Sequence, residues 1–319
     1  MKYLLVVVLF VAFGFKAQAL NPVHKLKADG AVTDLLKDGN TLYCATDNAS
    51  INVFSLQSRK LLYRVSFPKI KDFMGDVINP KVYDIDKLPG KTNLIAAVQG
   101  AHGYTNVYLV EKTKITLLIK DVESKMMIKR VKFMNEQTIL LGLLSNELVR
   151  IDIQTKKVIY RVQISAYTFS DIVMNKARTE VITADESGII HIIDAASGKI
   201  IKELSGNNVD NVYQIDYKGS TIICGGQDRR LSVYHRNNAQ NYYLQSNFLI
   251  YSVGLSPSGK IGAYSADENN DIQVFNTISK QKIALLQGSE TVITKILFTS
   301  ENELITSSDD PNILFWKLN

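Results

Sequence analysis

The feature that most constrains this chain is a repeat close to 41 residues long. With the last apolar residue of one recurring strand as marker, the copies align at Phe54, Val110, Ile151, Ile193, Tyr234, Phe275 and Trp316, with successive spacings of 56, 41, 42, 41, 41 and 41 residues. A period just above ~40 with four short β-rich runs per copy suits propeller blades; helical repeats run near ~34 and leucine-rich repeats below ~30. The sequence therefore predicts a single all-β domain of seven blades.

One copy shows the pattern. Residues 211–247 read NVYQIDYKG, STIICGGQDR, RLSVYHRNN and AQNYYLQSN, apolar and polar residues alternating between turns rich in Gly, Asn and Asp. Alternation places side chains on the two faces of a strand, and stacked blades bury both faces, so Val, Ile, Leu and Tyr are abundant on each. The last copy (VITKILFTSE, NELITSSDD, PNILFWKLN) has only three strands before Asn319. The segment Pro22 to Lys27 resembles the outer strands KIIKELSG and KIALLQG, so the N-terminal strand of the mature chain is expected to supply the missing strand and close the ring. The pattern resembles the WD40 family across nearly the whole mature chain, although only Trp316 keeps the family's tryptophan and no Trp-Asp pair is present. That resemblance implies a seven-bladed, WD40-like β-propeller.

The first 19 residues have a different character. Met1 and Lys2 precede an apolar run, Tyr3 to Phe15, and then Ala17-Gln18-Ala19, the composition of a cleavable signal peptide. The run is too short to span a bilayer core of roughly 30 Å as a helix. Cleavage is expected after Ala19, leaving residues 20–319 as the propeller, periplasmic and without a membrane span. Removing Lys2 and Lys16 with the leader leaves 35 basic against 31 acidic residues, a charge of +4. The basic residues are scattered, so the footprint of a nucleic-acid binder is missing and only a mild preference for acidic partners follows. Cys44 and Cys224 occupy equivalent places in two distant copies. A disulfide needs Cα atoms within about 7 Å, so two buried, unlinked thiols are expected.

A regular scaffold carries function where its regularity breaks. The 56-residue spacing holds some 15 residues beyond the usual 41, and nearly all of the excess is the 14-residue segment Pro68 to Lys81, between the last strand of blade 1 and the first of blade 2. In a WD40-like order this joint opens on the same side as the turn Gln99 to Asn106 and the linker SKMMIKR before blade 3. Candidate partner-binding residues are Lys69, Lys71, Phe73, Met74, His102 and Tyr104, with Met126 and Met127 as expected neighbours and Arg229 and Arg230 as a second contact. The competing reading packs Phe73 and the Met residues beneath their own loops. Asp228 is read as a turn-builder, because Asp47, Asp185, Asp267 and Asp309 recur in similar turns.

Catalysis is not expected. His24, His102, His191 and His235 show no metal-ligand spacing, no nucleophile motif is present, and neither haem nor another cofactor has a ligand set. A single Trp argues against quinoprotein propellers; a propeller lactonase stays open, because carboxylates from several blades can meet in a central channel. At a finer level, FPKIKDFMGD from Phe67, ILLGLLSNE from Ile139, NVYQIDYKG from Asn211, GGQDRR from Gly225 and FLIYSVGLSPSG from Phe248 resemble the NapL family, the accessory proteins of periplasmic nitrate reductase. This resemblance implies a supporting role in nitrate respiration through contact with nitrate reductase subunits and supplies no active residues. The alternatives are an outer-membrane assembly propeller and a lactonase-type hydrolase.

Overall fold

The computed structural model describes residues 18–236 and 240–318, so the apolar run Tyr3 to Phe15 and Ala17 of the expected leader lie outside the described residues. Seven sheets of antiparallel strands follow one another around the chain. Six are simple meanders in which sequential strands pair; in the first, Val32–Asp38, Thr41–Thr46, Ser50–Ser55 and Leu61–Ser66 lie side by side. Alternating sequence and tight turns explain the local folding: strand neighbours pair because each turn brings them together at once. The chain is a seven-bladed, WD40-like β-propeller.

The seventh sheet is built from both ends of the chain. Its inner three strands are Ile293–Phe298, Glu303–Ser308 and Asn312–Lys317, and its outer strand is His24–Lys27, paired antiparallel with the last of these from His24↔Phe315 to Lys27↔Asn312. The sixth sheet has a fifth strand, Gln18–Leu20, parallel to Lys282–Leu286.

The core lies between blades. One cluster joins Ile51, Val53 and Phe67 of blade 1 to Val82, Ile85 and Tyr108 of blade 2; another joins Ile305, Ile313 and Phe315 of blade 7 to Val32, Leu35 and Cys44 of blade 1, with Leu26 packed against it. Cys224 is buried in a different core, between blades 4 and 5, and both cysteines are free. Burial pushes both thiols well above their ordinary range. Trp316 is buried between blades 6 and 7, and its Nε1–H donates to Thr306 Oγ1 at 2.9 Å, so the one tryptophan is satisfied within the core. Among the described residues, no helix is long and apolar enough to cross a membrane.

Candidate functional site

Each first strand faces the central channel with one edge that no further strand covers, so its amide groups need other acceptors. Side chains of the preceding blade supply them. Asp34 Oδ2 accepts from Ile85 N–H (3.2 Å), Asp84 Oδ2 from Val131 N–H (2.8 Å), Asp171 Oδ2 from Ile215 N–H (3.1 Å), and Gln214 Oε1 from Val253 N–H (2.9 Å). All four occupy the third position of their strands. At the same position blades 3 and 7 carry cations: Arg130 pairs with Asp171 at 2.8 Å and Lys295 with Asp34 at 3.0 Å, while Lys132 meets both oxygens of Asp84 at 2.9 and 3.0 Å. Two residues further along, Asp86 and Asp216 accept from Phe133 N–H and Leu255 N–H, and Arg178 binds both oxygens of Asp86.

These groups line a channel cavity of about 310 Å³. Its carboxylates are engaged by backbone amides and cations. Burial works against the charge of Asp34, but Lys295, Lys132 and Arg130 outweigh it and hold that carboxyl below its usual range. For Asp84, burial and the neighbouring Asp34 prevail over Lys132 and Arg130, pushing it up to about 6. A carboxyl that binds its proton more tightly when folded destabilises the fold as it ionises. The contribution of Asp84 to stability is therefore expected to fall as pH rises from about 4 to about 6 and to be flat above. Melting curves of the native chain and of Asp84→Asn across that window should converge or diverge with this sign; parallel curves would contradict it.

Because strands in a blade alternate in direction, the linkers between blades and the turns between second and third strands all lie at one end of the barrel of sheets. The insertion emerges on this face as a small hairpin, Ile70–Lys71 paired with Val77–Ile78. Asp72 builds its tip: the Asp72 carboxylate accepts from Met74 N–H and Asp76 N–H, both at 2.9 Å, and Gly75 takes φ +92, which suits glycine. The result presents Phe73, 89% exposed, and Met74, 73% exposed, away from the blades, with Lys69 and Lys71 exposed on the first arm. The base is fixed by Asn79 Nδ2 on Asn48 Oδ1 (2.6 Å) and by Ala49 N–H on the Pro80 carbonyl.

The turn of blade 2 stands beside that base. Lys81 N–H donates to Gln99 Oε1 and Gln99 N–H to the Lys81 carbonyl. His102 is exposed with φ +56, and half-buried Tyr104 meets it edge-on at 6.5 Å. Buried Asp121, at the start of the short helix Asp121–Ser124, accepts from Ala101 N–H at 2.6 Å and ties the linker to the turn. The expected neighbours divide: Met127 is exposed beside Gly103, whereas half-buried Met126 packs on the core between blades 2 and 3. The hairpin and the turn are joined at their bases, and no hydrogen bond or ring contact among the described residues links Phe73 or Met74 to His102 or Tyr104.

Arg229 and Arg230 lie on the same face, on blade 5. Arg229 is exposed at φ +61. Half-buried Arg230 stacks over Tyr243 at 4.4 Å and donates to the Asn207 carbonyl at 3.0 Å, so it braces its own blade. Asp228 accepts from Arg230 N–H and Val209 N–H, both at 2.9 Å, which is turn-building. The sequence reading missed an aromatic shelf at the joint between blades 5 and 6. Tyr213 and Tyr251 stack at 5.4 Å with an interplanar angle of 8°, Phe248 abuts Tyr251, and the Tyr213 hydroxyl meets Gln227 Oε1. Blades 1, 4 and 7 carry Thr33, Ser170 and Thr294 at the strand position of Tyr213, but blade 2 carries Tyr83 there, so that position alone did not mark the shelf.

Fold and site together define a WD40-like propeller with one ornamented face and an ion-paired channel. Among solved structures, the β-propeller domain of Cps50 (Swd1) from Myceliophteria thermophila is similar in fold: TM-score 0.75 and 14% identity over 94% of this chain and 99% of that one. No protein-family model matches the chain, and no curated protein does.

Proposed function

We propose that this chain is a non-catalytic, periplasmic platform that binds a protein partner through the face carrying the residue 70–78 hairpin. The observation that carries this reading is the pair Phe73 and Met74, both apolar, both exposed, and both held on a tip that the Asp72 side chain organises. Exposed aromatic and Met side chains on a preorganised loop are the composition of binding hot spots, and preorganisation lowers the entropic cost of association. Lys69 and Lys71 add a local positive field that favours an acidic partner. Segments resembling the NapL family make a subunit of periplasmic nitrate reductase the partner of choice.

The test is a shortened chain in which residues 68–81 are cut to an ordinary blade joint, together with the milder Phe73→Ala/Met74→Ser pair. Because Phe73 and Met74 bury little of their own surface, the melting temperature of the double substitution should stay within about 2 °C of the native value, while the shortened chain, which loses the contacts of Asn79, Pro80 and Lys81, should melt lower but still cooperatively. Co-purification with the reductase and cellular nitrate reduction should both fall at least tenfold. Unchanged capture by both variants would reject the hairpin and turn attention to the Tyr213–Tyr251 shelf.

A further inference from the structure

The lysines and arginines that lie scattered along the sequence are gathered by the fold onto one end of the barrel. The end opposite the hairpin is made of the residues between first and second strands and between third and fourth strands of the blades. Among the described residues, those turns carry twelve basic side chains and two acidic ones, Glu136 and Glu301. The strand-terminal residues beside them add five basic and six acidic side chains and leave the balance almost unchanged. The linkers and turns of the hairpin end are the reverse, with six basic residues against fifteen acidic ones. The two faces are therefore opposite in charge, although the chain as a whole is only mildly basic.

Most of these cations are left to act outward. Of the twelve, Lys91, Arg178 and Arg236 pair with Glu136, Asp86 and Glu180, and no ion pair among the described residues engages the other nine. Apolar side chains stand among them. Lys60 is followed by Leu61 and Leu62, Lys157 by Val158 and Ile159, and Lys199 by Ile200 and Ile201, all of them exposed, and Ile278, 69% exposed, lies two residues before exposed Lys280. We infer that the face opposite the hairpin docks on an anionic lipid bilayer. Headgroup phosphates attract the lysines, and the acyl boundary just beneath accepts aliphatic groups that water leaves exposed. Nucleic acid fits this face less well, because among the described residues none of these turns holds an aromatic side chain on which a base could stack. The acidic hairpin end is repelled by the same surface, so the molecule docks in one orientation, with the hairpin turned away from the lipid.

The test uses the chain beginning at Leu20, so that the apolar run Tyr3 to Phe15 takes no part. All seven four-stranded sheets lie beyond Leu20, and only Gln18 and Ala19 of the extra strand on blade 6 are lost, so this chain keeps its blades. It should cosediment with vesicles of phosphatidylcholine and phosphatidylglycerol at least tenfold more tightly than with vesicles of phosphatidylcholine alone, and salt raised to about 0.5 M should release it. Lys60→Glu/Lys157→Glu, at two exposed positions outside any ion pair, should weaken this binding at least tenfold while the cooperative melting transition persists. Lys81→Glu/Lys125→Glu makes the same change in charge on the hairpin end and should weaken it less than twofold. Equal binding to the two kinds of vesicle, or equal losses from the two pairs of substitutions, would overturn the docking face. Tighter binding to a duplex oligonucleotide than to the anionic vesicles would overturn the bilayer as its ligand. Neither result bears on the hairpin, whose capture test rests on Phe73 and Met74.

Discussion

Replacing Asp171 with alanine should lower the stability of the fold by about 3–5 kcal/mol, the range for breaking a buried ion pair from one side. Three consequences converge on one side chain. Ile215 N–H loses its acceptor at the channel edge, Arg130 loses its partner at 2.8 Å, and the guanidinium is left beside Lys132 and Lys295 with one carboxylate fewer. Arg130 is held well above the ordinary arginine range because, although burial opposes its charge, Asp171, Asp84 and Asp34 outweigh it. That dependence makes the orphaned cation costly. Asp171→Asn keeps an acceptor for the amide and should lose less. The double variant Arg130→Met/Asp171→Leu should recover much of the loss, since it removes the unpaired buried charge altogether. Thermal unfolding of the four proteins decides it: a single-variant shift below about 1 kcal/mol, or no recovery in the double variant, would show that the channel pairs are not what joins the inner strands.

The same residues show how far the sequence could be read. The period placed the marker residues Phe54 to Trp316 on the third strands of their blades, because a hydrophobic alternation repeated seven times leaves few other arrangements. It also located the insertion, since 15 extra residues cannot be absorbed by a blade of fixed length. The channel network was present in the same alignment but went unread. Asp34, Asp84, Arg130, Asp171 and Lys295 share one strand position, yet each looks like an ordinary polar interruption until blades meet around a ring and residues 41 positions apart, such as Arg130 and Asp171, become neighbours. Burial on loops was equally opaque. Phe73, Met74 and Met126 are all apolar loop residues, and only the path of the hairpin decides that the first two face solvent while the third packs on the core. The edge strand Gln18–Leu20 was hidden for a different reason: a sequence that reads as a processing site is not examined for β-pairing.

Deleting residues 20–29 should have the largest effect on the fold, a fall in melting temperature well beyond 10 °C or the loss of a cooperative transition. The outer strand of blade 7, His24–Lys27, comes from this segment, and its loss would strip Asn312–Lys317 of its pairing partner along four residues. Leu26 would leave the core between blades 7 and 1, and Leu20 the core between blades 6 and 7. Asp29 would go as well. Its carboxylate accepts from Ser50 Oγ at 2.6 Å and Asn52 Nδ2 at 2.7 Å and pairs with Arg64 at 2.7 Å, so its removal takes away the acceptor these groups share, although Ser50 Oγ keeps Thr46 Oγ1 and Asn52 Nδ2 keeps Ser50 Oγ. The lost strand pairing and apolar burial are the larger part of the effect, and at about 2–4 °C per kcal/mol for a domain approaching this size a few kcal/mol are a large share of a marginally stable fold. Asp29→Ala alone should incur only part of this loss, because it spares the strand and Leu26. Calorimetry on the native chain, the deletion and Asp29→Ala should order their stabilities in that sense, with Asp29→Ala between the other two. A deletion that melts with the native chain would mean that blade 7 holds its place with three strands and that the ring does not depend on its N-terminal strand.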